Sequence, residues 1–259
     1  HQHFIKLSYP LFKGFIEAKK CKITLFLISG TGNLTTSIDT LVGTDSSDLF
    51  TGIVDSVTTA NSTLTALDSI DGGLGNDTLN ILATAALDTT GITGLEVKNV
   101  ETVNLKAGTT ITADTASWTG LNTANVTKAT DVELNTAATT DVNVSGVTGA
   151  IGIDGGKNIV VTDATANNNI TIGATTVNAG TITVTDTNLG TGLIEVDGGT
   201  NVTITATGSN VGDATNSIKV GQGGATTDLP TGEVTIVNNI TNAAAAATNK
   251  IEERRVGKE

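Results

Sequence analysis

Residues 72–80, GGLGNDTLN, are where side-chain chemistry concentrates in this chain. They match every fixed position of the nonapeptide G-G-x-G-x-D-x-U-x, whose turns bind calcium in β-rolls. The pattern has a mechanical reason. Gly72, Gly73 and Gly75 let the first six residues curl so that main-chain carbonyls face inward, Asp77 adds a carboxylate, and Leu79 points into a core. A hard ion that takes about six to eight oxygens suits such a turn. One turn is half a cage, so a second must stack on it. Asp68 and Ile70 stand nine residues before Asp77 and Leu79, though without the glycines, and GTDSSDLFT at 43–51 keeps Gly43, Asp48 and Phe50 in register. The competing reading is an ordinary Gly-rich corner with solvated carboxylates, and in a Gly- and Asp-rich chain both stay open. Asp88, Asp114, Asp131 and Asp141 read as solvated turn residues or Asx-turns.

The elements that must hold this segment are legible in the composition. The chain has 259 residues, 30 Gly, one Cys, no Met and a net charge of −12. Residues 1–30 carry His1, His3, Tyr9, Cys21 and four of the five Phe, while 250–259 carry Arg254 and Arg255. Both ends are foreign to the body and are expected to lie outside the fold, 1–30 as a flanking segment and 250–259 as an artefactual or disordered tail; EERRVGKE resembles translated adapter sequence. Without an initiating Met, the chain reads as a fragment or a processed piece. ITLFLI at 23–28 is too short to span a membrane. Between the ends, residues 31–249 hold five Lys, no Arg, seventeen Asp and five Glu, a net of −17. Nucleic acid and anionic membrane are poor partners for such a polyanion, and cations are natural ones. A single Cys excludes a disulfide framework and Cys-rich zinc sites.

Alternation dominates the body. Val142/Val144, Ile151/Ile153, Ile159/Val161, Ile170/Ile172, Ile182/Val184, Ile194/Val196, Val202/Ile204, Ile218/Val220 and Val234/Ile236 are apolar pairs with one residue between them. On a strand each pair shares a face, which predicts short half-buried strands. Two consecutive steps between pairs mostly total about twenty residues, the mark of a unit that buries its apolar face only by stacking on copies of itself. The fold expected is all-β, a right-handed parallel β-helix or β-roll solenoid with Gly/Asp/Asn-rich turns, of roughly ten rungs and on the order of 50 Å long. A β-sandwich is the alternative. Strands of three to five residues, scarce aromatics and Asp-Gly-Gly at Asp71, Asp154 and Asp197 favour the solenoid.

LTTSIDTLVGTDSSDLFTG, LTALDSIDGGLGNDTLNI and GITGLEVKNVETVNL, within residues 33–106, resemble the module of RTX-containing, type I-secreted bacterial surface-layer proteins and related β-strand-repeat surface proteins. The resemblance implies a calcium-binding solenoid, secreted to the cell exterior without an N-terminal signal, that assembles into a lattice (S-layer). Its calcium residues would be Gly72, Gly73, Gly75 and Asp77, flanked by Asp71 and Asp68 and, more remotely, Asp45 and Asp48. The partners it implies are further copies of the chain and a cell-surface polysaccharide. Only one repeat is intact, and no C-terminal secretion signal is visible. On this reading 31–110 is the calcium module and 111–249 a run of Thr/Asn-rich repeats.

Catalysis fares worse. The body has no His, which removes Ser/His/Asp and Cys/His arrangements, and carboxylate-pair chemistry on sugars would call for aromatic platforms where only Phe50 and Trp118 stand. The chain is therefore expected not to be an enzyme. A repeat-rod adhesin is the alternative binding reading. The T-x-T runs 181–187 and 203–207 have the form of ice-binding ranks, but Thr is an ordinary outward strand residue.

Overall fold

The computed structural model describes residues 26–27, 31–210, 217–223, 228–242 and 250–253. Two short rungs open it, β1 (Phe26–Leu27) with β2 (Thr31–Asn33) and β3 (Thr40–Val42) with β4 (Leu49–Val54). The next two have three sides: β5 (Ser69–Asp71), β6 (Thr78–Ala83) and β7 (Leu87–Asp88), then β8 (Glu96–Lys98), β9 (Thr102–Ala107) and β10 (Ile111–Asp114). Three two-strand rungs follow, β11 (Thr123–Lys128) with β12 (Val132–Thr136), β13 (Asp141–Val144) with β14 (Ile151–Gly155), and β15 (Ile159–Asp163) with β16 (Ile170–Ile172). The last are β17 (Ile182–Asp186) with β18 (Leu193–Val196), β19 (Val202–Asn210) with β20 (Ser217–Val220), and β21 (Val234–Asn242) with β22 (Lys250–Glu253). Like strands stack on like. One sheet is β1-β3-β5-β8, a second of ten strands runs β2-β4-β6-β9-β11-β13-β15-β17-β19-β21, and a third of eight runs from β7 to β22.

Every pairing between these strands is parallel, for example Ile159↔Ile182↔Val202↔Val234 on the ten-stranded sheet and Ile151↔Ile170↔Ile194↔Ile218 on the third. That is a parallel solenoid. A sandwich of antiparallel hairpins is excluded, because each strand pairs with the equivalent strand one rung away and not with its chain neighbour. All nine apolar pairs read from the sequence fall on strands, β13 to β21 in order. With strands spaced about 4.8 Å apart, ten of them make a stack roughly 45 Å long. Rungs are unequal, from 15 residues between Phe26 and Leu41 to 33 between Ile218 and Ile251.

The core is one continuous column of Val, Ile, Leu and Ala, widened by Phe50, fully buried, and Trp118, which is 6% exposed and a core residue. β-branched side chains suit it because successive rungs place like residues directly over one another. The ten-stranded sheet crosses residue 110 unbroken, through pairing of β9 with β11, so the two segments expected from the resemblance share one core. Two residues of the amino-terminal flank join the first sheet through Phe26↔Leu41, and four of the tail join the third through Ile218↔Ile251; His1, His3, Tyr9, Cys21, Arg254 and Arg255 lie outside the described residues. No helix among the described residues is long and apolar enough to cross a membrane. Thr183, Thr203 and Thr235 stack as one rank, and Thr185 on Thr205 as another.

Candidate metal centre

The GGLGND turn is the corner that carries β5 into β6. It lies on the corner 43–48, because Val42 pairs with Asp71 and Leu49 with Thr78. Main-chain bonds clamp the two turns: the Gly43 N–H donates to the Asp71 carbonyl at 2.7 Å and the Leu74 N–H to the Thr44 carbonyl at 3.1 Å. Gly75, at φ +119°, fits only as glycine, since a Cβ there would stand 2.7 Å from the Ser46 carbonyl carbon. On its other side the turn meets residues 98–99, through a 2.9 Å bond from the Gly72 N–H to the Lys98 carbonyl.

Carboxylates follow the stack. The Asp48 N–H donates to Asp77 Oδ1 at 2.7 Å, and the Asp77 N–H donates to Glu101 Oε2 at 2.6 Å. Each acid thus caps the amide of the acid one rung earlier. Asp48 gives its second oxygen to its own turn, where Oδ2 accepts the Thr44 N–H at 2.6 Å and the Thr44 hydroxyl at 2.9 Å. The first sheet repeats the design: Asp68 Oδ1 accepts the Asp39 N–H at 2.8 Å, and its Oδ2 accepts the Thr65 N–H at 2.6 Å and hydroxyl at 3.2 Å.

Asp77 breaks the rule. In its turn Gly73 replaces the threonine, at φ +90°, and the Gly73 N–H turns away to Asp71 Oδ1 at 3.1 Å. Asp77 is fully buried, and its Oδ2 has no hydrogen-bond partner. The orphan oxygen is created by the glycine that completes the nonapeptide. Beside it, a Cβ on Gly72 would collide with the Asn99 carbonyl and stand 2.5 Å from Asp77 Oδ2, so the bare glycine lets both oxygens approach. Burial pushes the Asp77 carboxyl above the ordinary range, and the charges of Glu101, Asp48 and Asp71 push the same way against the Asp48 amide bond. Lys98, across the strand from Asp71, gives its exposed ammonium to Glu96 at 2.8 Å and only a weaker attraction to Asp71.

The residues named from the sequence separate here. Gly72, Gly73, Gly75, Asp77 and Asp48 come together. Asp71 adjoins them, its Oδ1 also accepting Asn99 Nδ2 at 2.8 Å. Asp45 is exposed on its turn. Asp68 sits at the head of β5 in the other sheet, both oxygens bonded; burial raises its pKa and its hydrogen bonds oppose the rise. Two participants were not named, Glu101 and the Asn99 carbonyl. A signal for the first was present, since ETVNL at 101–105 repeats the pattern of DTLNI at 77–81. Among the described residues no three His, Cys, Asp or Glu side chains are gathered tightly enough to hold a metal by themselves. An ion here needs main-chain oxygens beside Asp77, and a buried anionic oxygen with a carbonyl next to it, in a field of three further acids, fits a hard cation. No family model matches this chain, and no curated protein matches it.

Proposed function

We propose that this chain is a calcium-binding structural segment of a secreted bacterial surface-layer protein, self-assembling on the cell exterior and without catalytic activity. The observation that carries the metal reading is the partnerless Oδ2 of buried Asp77 on the one intact nonapeptide. In this reading Asp77 Oδ2 and the Asn99 carbonyl are the primary oxygens, Asp71 adds charge from the side, and Asp48 and Glu101 hold Asp77 through its Oδ1 and its amide. The ion supplies the positive charge that these acids lack. Extracellular calcium modules bind at roughly 10⁻⁴–10⁻³ M, so such a turn fills outside the cell and empties in the cytosol. A body of net −17 gains further from divalent cations, which relieve its self-repulsion. The surface-layer assignment rests on the resemblance of residues 33–106.

The test is calorimetric. Calcium added to chelator-stripped chain should bind in the extracellular range, and Asp77→Asn should weaken binding at least about tenfold; equal affinity in the two chains removes Asp77 from the ligand set. Electron microscopy on the same samples addresses assembly. Ordered sheets that form with calcium and dissolve with chelator support a lattice component, whereas dispersed rods in both conditions refute it.

A further inference from the structure

Two acids occupy the core side of the ten-stranded sheet near its carboxy-terminal end. Asp163 closes β15 and Asp186 closes β17 in direct register, 2% and 0% exposed, at the inward strand-end position that holds Ala83 and Ala107 on earlier rungs and Ala206 on the next. Parallel neighbours stand about 4.8 Å apart, so the two carboxyls face one another across a single rung in a dry interior.

Each acid first closes its own corner. Asp163 Oδ1 accepts the Thr165 N–H at 2.9 Å and Asp186 Oδ1 accepts the Asn188 N–H at 2.8 Å. Their second oxygens differ. Asp163 Oδ2 accepts Asn168 Nδ2 at 2.9 Å, but Asp186 Oδ2 has no partner. The rung alignment gives the reason: Thr191 bonds to Asn167 and Leu193 to Asn169, so Gly192 stands opposite Asn168 and brings no amide. A donor in one rung has become a glycine in the next, as at Asp77.

We propose that Asp163 and Asp186 form a proton-sharing pair, with Asp186 carrying the proton, that tightens the rungs β15–β19 as the surroundings become mildly acidic. The groups facing Asp186 are Asp163 from β15, Ala206 from β19, Asn188 and Leu189 from its own corner, and Asn168 and Asn167 from the corner below; none is cationic. Asp163 already has an N–H donor on each oxygen, whereas the bare oxygen of Asp186 is met by a proton of its own. Burial and then the Asp163 charge push the Asp186 pKa up to about 6. A carboxyl with a raised native pKa contributes stability that is full below its unfolded value of 3.8 and is lost as the pH climbs through about 6.

The experiment uses the full chain carrying Asp77→Asn, in chelator, so that the proposed calcium turn plays no part. Melting temperature should fall as pH rises through about 6, and adding Asp186→Asn, whose amide can donate to Asp163 at every pH, should remove that component of the fall. An identical profile with and without Asp186→Asn overturns the proposal. So does a rise in melting temperature when calcium or sodium is added at about pH 7 that Asp186→Asn abolishes, which would mark a metal ion and not a proton as the occupant. In the unmutated chain, the Asp186 side-chain carboxyl resonance should titrate near pH 6. A midpoint at the ordinary aspartate value refutes the pair even if the variants do not fold.

Discussion

Asp77 shows how much one side chain's neighbours decide. Asp48 and Asp77 share a place in their turns, four residues after Thr44 and Gly73, yet only Asp48 has a threonine to bond, as Asp68 has Thr65 in the other sheet. A buried acceptor without a donor costs roughly 1–3 kcal/mol, and the charge on it more. In chelator at neutral pH, Asp77→Asn should therefore stabilise the chain by about 1 kcal/mol, because the carboxamide carries no charge and its N–H₂ can donate toward the Asn99 carbonyl. In saturating calcium the same substitution should destabilise it. Urea unfolding in the two conditions checks the reversal of sign, and a loss of stability in both would mean that Asp77 is an ordinary buried acid. Motif matching located this residue; the missing donor emerged only when the turns were laid on one another.

Strands here are held by more than their own ladders. On the outward face of the ten-stranded sheet, Asn104 Nδ2 donates to Asn80 Oδ1 at 2.8 Å, Asn125 to Asn104 at 2.9 Å, and Asn143 to Asn125 at 2.9 Å. Amide ladders of this kind suit parallel in-register strands, since each side chain presents its donor to one neighbour and its acceptor to the other. Asn104→Ala breaks two links and Asn143→Ala one. The first should cost about 1–2 kcal/mol and the second about half of that, measured as denaturation midpoints with unchanged slope. Equal costs would show that the ladder contributes nothing beyond strand propensity. The sequence concealed this ladder because its members lie 24, 21 and 18 residues apart. A fixed-period search cannot align rungs whose corners differ in length, and only the pairing of the strands does so.

At the scale of the molecule, a solenoid is nearly one-dimensional: each rung touches its neighbours, and stability adds rung by rung. A ligand at one end should be felt most near that end. Calcium should slow amide hydrogen exchange chiefly in residues 41–107, around β3 to β9, and leave 141–206 little changed. Uniform protection along the chain would imply either one cooperative unit or ions bound elsewhere. A core lesion should likewise be local in origin. Leu105→Ala, at a fully buried site, should cost about 2–5 kcal/mol and raise exchange first in β6, β9 and β11.

The apolar pairs from Val142 to Ile236 determined by themselves that this chain makes short strands with one buried face, and the scarcity of aromatics pointed to a narrow core. Both are local properties, since alternation is written into consecutive residues. The nonapeptide was equally local, a matter of which residues permit a given turn. What stacks on what was decided only in three dimensions. Gly73 across from Thr44, Gly192 across from Asn168, and Glu101 capping Asp77 are encounters between residues 24 or 29 positions apart. Their partnership depends on the lengths of the intervening corners, and those lengths follow from how each loop closes over the core.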